Sequence, residues 1–112
     1  MSLYADYLKE KESKLVYETE KGFVVYEYRH DETQINVYIS TIYVVPEFRK
    51  MNYAGQMADE VVKEAKSRGC RLLYGSVIPS AIDSTISVKV LLGYGMTLDS
   101  STQDFILFRK EI

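Results

Sequence analysis

The 112-residue chain has no tryptophan, one cysteine, one histidine and two prolines. A lone Cys70 excludes an internal disulfide. With only His30 beside it, zinc sites built from several imidazoles and thiolates are excluded too, and no metal is expected. There is no excess of positive charge: 14 Lys and Arg stand against 16 Asp and Glu, for a net charge of -2. The basic footprint of a nucleic-acid binder is therefore missing. No apolar run approaches the ~18 residues of a membrane-spanning helix, so no membrane partner is expected. The opening stretch MSLYADYLKEKESK carries charges every few residues and no apolar h-region, so it does not read as a signal peptide. A reducing, cytoplasmic setting is the natural expectation.

What is present is ordinary globular material. Hydrophobic residues make up 46% and charged residues 27%, enough for a core in one domain, 1–112. Ten tyrosines suit half-buried sheet faces. Residues 2–13 read as an amphipathic helix with Leu3, Tyr4, Tyr7 and Leu8 on one face. Alternation over 14–20, a glycine turn at 20–22, FVVYEYR at 23–29 and the β-branched run INVYISTIYVV at 35–45 predict a three-stranded antiparallel meander. HDET at 30–33 reads as a turn. Pro46 ends the third strand, because it cannot donate to a ladder.

The period then changes. Ala54, Met57, Ala58, Val61, Val62 and Ala65 recur at three and four residues, which predicts a helix stopped near Gly69. CRLLYGSVI at 70–78 reads as a buried strand. PSAIDSTISVKVLLG reads as another helix, capped by Ser80 or Asp83, with Ile82, Ile86, Val90 and Leu91 as its apolar stripe and Gly93 as its end. YGMTLDS and DFILFRKEI are two last strands. A strand-helix-strand crossover makes strands 35–45 and 70–78 parallel neighbours. The expectation is an α+β fold: a mixed, mostly antiparallel sheet with helices packed on both faces.

One junction carries chemistry. In VVPEFRKMNYAGQMADEVV, residues 44–62, two cations and several small residues lie between a strand end and a helix start. Helix N-termini present unpaired amides and partial positive charge, both of which suit phosphate. Asn52 tolerates left-handed φ better than most residues. A merely capped helix with solvated cations is the competing reading.

The pattern V-x-P-E-x-R-x-x-x-x-A, carried by Val44, Pro46, Glu47, Arg49 and Ala54, resembles the acetyl-CoA-binding signature of the GNAT N-acetyltransferase superfamily. Asn52 stands where glycine is usual, and Lys50 where a second glycine is common. KVLLGYGM at 89–96 is similar to the family's helix end and LGF turn, with Leu92, Gly93 and Tyr94 in those places. The likeness covers about 14–112 and lacks the family's opening strand, as in a trimmed member. It implies a cofactor lying where the sheet splays between strands 35–45 and 70–78. The backbone of Tyr43, Val44 and Val45 would pair with the pantetheine arm. The loop of Arg49, Lys50, Met51, Asn52, Tyr53, Ala54 and Gly55 would hold the pyrophosphate. A small-molecule or peptide amine would enter from the opposite side.

Acetyl transfer needs a neutral amine, a donor to the thioester oxygen and a proton for the leaving thiolate. A free N–H at a bulge near Val44 or Val45 would supply the donor. The family's usual acid, a tyrosine on the second crossover helix, aligns with Lys89, and its usual asparagine with Ile82. Glu27 and Tyr38 are candidates facing the acceptor cleft, set against their ordinary reading as a solvated strand residue and a sheet tyrosine. His30 reads as a turn residue and Cys70 as a packed thiol. The resemblance implies an acetyl-CoA-dependent N-acetyltransferase. The alternative is a non-catalytic module of the same fold that binds CoA weakly or acts through protein contacts. Tyrosines on an edge strand would permit a homodimer.

Overall fold

In the computed structural model, which describes residues 3–12, 14–30, 32–78 and 84–112, six strands form one mixed sheet. The elements follow as α1 (Leu3–Glu12), β1 (Leu15–Thr19), β2 (Gly22–His30), β3 (Ile35–Val44), a 3₁₀ turn (Pro46–Phe48), α2 (Tyr53–Ser67), β4 (Leu72–Val77), α3 (Ser84–Gly93), β5 (Thr97–Ser101) and β6 (Ile106–Glu111). Their order across the sheet is β1-β2-β3-β4-β6-β5. Only β3 and β4 are parallel; the other neighbours are antiparallel. This is the expected α+β architecture with its one parallel crossover; of the helices expected on both faces, α2 and α3 pack on the same face of the sheet.

Strand alternation sorts the side chains. Val24, Tyr26, Val37, Ile39, Leu73, Val77 and Phe108 form one buried layer with Met57, Ala58, Val61 and Ala65 of α2. Those four helix positions fall on one stripe of a 3.6-residue period, so α2 lies flat on the sheet. Val88, Leu91 and Tyr94 bring α3 onto the same cluster. A side chain at Gly75 would crowd Leu91 and Met96, so glycine lets α3 and the chain after it approach β4 closely. Tyr26 donates from its hydroxyl to Glu64 Oε2 at 2.7 Å, which fastens α2 to β2. Beyond α2, Gly69 takes a left-handed φ of 87° and the Cys70 amide returns to Ala65 O at 3.0 Å. Cys70 is buried just ahead of β4, where burial pushes its thiol pKa up.

Several boundaries differ from the sequence reading. α1 packs against β1, yet Leu3 and Tyr7 of its expected apolar face are 88% and 53% exposed. His30 closes β2 instead of opening a turn. The left-handed glycine after α3 is Gly95, with Gly93 still helical. Val90 of the predicted stripe is exposed; Ser80, Ile82 and Asp83 lie outside the described residues, as does the Ile86 side chain. Among the described residues no helix is long and apolar enough to cross a membrane.

Leu73 is wholly buried at the centre of the layer. Leu73→Ala should cost about 2–5 kcal/mol of stability, the range for a truncated core leucine. Chemical denaturation with an unchanged m-value would register that loss.

Candidate active site

β3 and β4 pair only through Val37, Tyr38 and Ile39 with Leu73, Tyr74 and Gly75. Past Ile39 the strands part, and the cause is local. Val25 faces Thr41 while Tyr26 faces Ile39, which leaves Ser40 as an extra residue on β3. A bulge bends its strand and raises its twist. β3 therefore stays with β2 and leaves β4. The opening has a cleft on each face of the sheet, and Ile39 lines both.

The first cleft, about 400 Å³, lies on the helical face between the start of α2 and the end of α3. Asn52, Ala54, Gly55 and Asp59 line one wall, and Leu91 and Tyr94 the other. The loop that leads into α2 is strained twice. Lys50 has φ 65° and Asn52 φ 62°, the left-handed region. Both therefore hold the backbone form that glycine adopts without steric cost. The first helical bond of this turn runs from the Gln56 amide to Asn52 O at 3.1 Å. The amides of Tyr53, Ala54 and Gly55 precede it and, like those of Lys50, Met51 and Asn52, have no acceptor among the described residues. Asn52 makes no capping bond, although its Oδ1 stands beside Gly55.

The residues ahead of the loop are partly committed. The Arg49 amide bonds Pro46 O at 3.3 Å, so the row of free amides begins at Lys50. Arg49 Nε donates to Val44 O at 2.9 Å, and its guanidinium lies 5.5 Å from the Tyr43 ring centroid. The Val45 amide donates to Lys21 O at 2.9 Å. Val45 therefore supplies no free donor, and the bulge sits at Ser40 instead of near Val44. Donors alternate along a strand. With Val45 turned to β2, the amides of Val44 and Ile42 turn toward the opening.

Across the first cleft, Tyr94 donates to Asp59 Oδ1 at 2.6 Å, which ties α3 to α2. Burial, then the hydrogen bond to Asp59 and its charge, push the Tyr94 pKa far above the ordinary tyrosine value. Lys110 Nζ donates to Tyr94 O at 2.9 Å and ties the end of this wall to β6. From the sequence alone, Tyr94 reads as a turn residue and Asp59 is not singled out. The available signal was spacing: Asp59 follows Gly55 by one helical turn and shares its face.

The second cleft, about 370 Å³, opens on the other face of the sheet. It brings Glu27 and Tyr38 together, as paired neighbours on β2 and β3. It also contains Arg29, Ser40, Ser76, Phe105 and Leu107, none of which the sequence reading had singled out. Alternation alone would have put Arg29 beside Glu27, two residues along the same strand. Lys89 is exposed on α3, and neither it nor His30 lines either cleft. Among the described residues no group of three or more His, Cys, Asp and Glu is placed to hold a metal.

A family model described as the acetyltransferase (GNAT) family matches residues 4–84. No match is found among curated proteins. Solved structures with a similar fold include a GNAT-family acetyltransferase from Listeria monocytogenes, at TM-score 0.67 and 17% identity over 87% of this chain and 63% of that one. PaiA N-acetyltransferase from Thermoplasma acidophilum, in complex with coenzyme A, matches at 0.70 and 13% over 82% of this chain and 54% of that one. Arabidopsis thaliana NAA60, in complex with acetyl-CoA, matches at 0.66 and 23% over 81% of this chain and 65% of that one. The chain thus spans less than two thirds of the length of each of the three.

Two outcomes follow from the loop and the clasp. Lys50→Gly should leave stability within about 1 kcal/mol or raise it, whereas Lys50→Val should cost about 1–2 kcal/mol, because only the β-branched residue adds left-handed strain. Thermal melts of the pair decide it. In alkali, unfolded tyrosines release their protons near pH 10 while Tyr94 and Tyr26 hold theirs in the fold. The unfolded chain then binds fewer protons, so stability present below pH 10 falls as pH rises. Tyr94→Phe should make that fall shallower in denaturation curves taken from pH 9 to 11.

Proposed function

The chain belongs to the GNAT acetyltransferase family, and from that premise we propose that it moves an acetyl group from acetyl-CoA to a primary amine. The observation that carries this reading is the row of amides from Lys50 to Gly55, unclaimed among the described residues, of which Asn52, Ala54 and Gly55 line the first cleft. Their donors, the N-terminal dipole of α2 and the Lys50 and Arg49 cations favour a diphosphate. Asn52 turns its Oδ1 aside to admit the phosphate, which breaks no hydrogen bond. The pantetheine arm then runs along the free edge of β3, where the Val44 amide is available. Arg49, by holding Val44 O, fixes the loop against that edge as well as adding charge.

The thioester would arrive at Ile39, which lines both clefts. The acceptor ammonium enters the second cleft and gives up a proton to the Glu27 carboxylate or to water. Its lone pair forms the new C–N bond at the thioester carbonyl. The C–S bond breaks and the sulfur leaves as thiolate; the acetylated nitrogen sheds its second proton through water, and the thiolate takes up one proton to become the free thiol of CoA. Tyr94 is a poor source for that proton, because Asp59 and burial hold it tightly. Catalysis in this reading rests on positioning and on backbone donors.

Calorimetric titration with acetyl-CoA should saturate in the micromolar range. Silence at millimolar ligand would leave only the fold. Arg49→Glu should weaken binding about tenfold or more, since it replaces a cation near the diphosphate with an anion. A bulky residue at Ala54 should block the ligand; normal affinity in that variant would remove the loop from the binding site.

A further inference from the structure

The second cleft holds one acid and one guanidinium, already joined to each other. Glu27 Oε1 and Arg29 Nη2 are 3.1 Å apart. This hydrogen bond is the leading cause of the raised Arg29 pKa. The guanidinium also lies 4.0 Å over the Tyr38 ring, and Tyr38 in turn stacks on Tyr74 at 4.6 Å and 12°. Two stacked rings therefore lie beneath the guanidinium. Glu27 is the less exposed partner, at 20% of its side chain against 56% for Arg29. Phe105 and Leu107 add an apolar wall from the β6 side.

On the reading that the chain transfers acetyl groups to amines, we infer that its acceptor is an amine with a carboxylate close by on the same small molecule: an amino acid with an apolar side chain. Charge arithmetic selects it. An acceptor bearing only an ammonium would draw Glu27 from Arg29 and leave two cations side by side in a partly closed cleft. That arrangement is penalised by repulsion and by the loss of a charge-assisted bond. A zwitterion exchanges partners without leaving a charge unpaired. Its ammonium meets Glu27, and its carboxylate meets the planar fork of Arg29, whose geometry suits two parallel N–H···O bonds. The apolar side chain then lies against Phe105 and Leu107. Glu27, the less exposed group, sits with the nitrogen that must lose a proton. The N-terminus of a peptide lacks the nearby carboxylate and leaves Arg29 unmatched.

Free CoA release is followed with acetyl-CoA and leucine, phenylalanine, leucinamide or a leucyl-glycine dipeptide. The intact chain is compared with Arg29→Gln and Arg29→Lys, and acetyl-CoA binding is measured by calorimetry on each. The expected result is a kcat/KM for leucine at least about tenfold above that for leucinamide. Arg29→Gln should collapse that ratio toward one, and Arg29→Lys should restore part of it. Leucinamide or the dipeptide acetylated as well as leucine overturns the amino-acid acceptor and leaves acyl transfer standing. So does a ratio unmoved by Arg29→Gln. No CoA release with any acceptor overturns the inference, and the calorimetric heat then shows whether acetyl-CoA binding survives it.

Discussion

The parting of β3 from β4 after three paired residues is the constraint on which the rest depends. A continuous sheet would leave no route from one face to the other. Here a single extra residue, Ser40, bends β3 along β2 just where the parallel ladder ends at Ile39 and Gly75. Two clefts on opposite faces then share Ile39. The bulge costs one rung of pairing and leaves strand edge uncovered. Sheets normally avoid open edges, because unpaired amides and carbonyls seek partners. An edge left open inside the sheet, next to a cleft, is suited to an amide-bearing ligand such as a pantetheine chain.

The loop before α2 follows a similar logic. Lys50 and Asn52 hold left-handed conformations that disfavour side chains, and they are not glycines. Strain of this kind persists when its surroundings require it. The requirement here is to turn the chain from the edge of β3 onto the helical face within a few residues. That turn also leaves consecutive amides without acceptors. The Arg49 bond to Val44 O closes the loop onto the strand. One guanidinium thus serves both the fold of the loop and its charge.

Much of this was legible in the residues, for identifiable reasons. The stripe of α2 needs only its period, and the proline after β3 marks its own boundary. The left-handed position at Asn52 follows from the residue type and from a pattern that carries glycine there. The bulge was not legible. INVYISTIYVV alternates well enough to read as an unbroken strand, and the extra residue shows only when β2 is laid beside it. Contacts distant in sequence were hidden for the same reason: Tyr94 meets Asp59 35 residues away. The exposure of Leu3 and Tyr7 escaped because a helical period shows which residues share a face, not whether anything covers that face.

The residues at the family's usual acid and asparagine, Lys89 and Ile82, do not offer that chemistry, and Lys89 is exposed and outside both clefts. Four of the titratable groups that line the clefts are bound in pairs. Tyr94 is held by Asp59, and Glu27 by Arg29. These two pairs differ in kind. The first is a neutral donor on an acceptor, which strengthens as the site dries and resists giving up its proton. The second is an ion pair that a ligand of matching charges can divide without leaving either group alone. A cleft on one face braced by the first and a cleft on the other selected by the second would make the order of strand edge, loop and ion pair, more than any single acid or base, the basis of transfer.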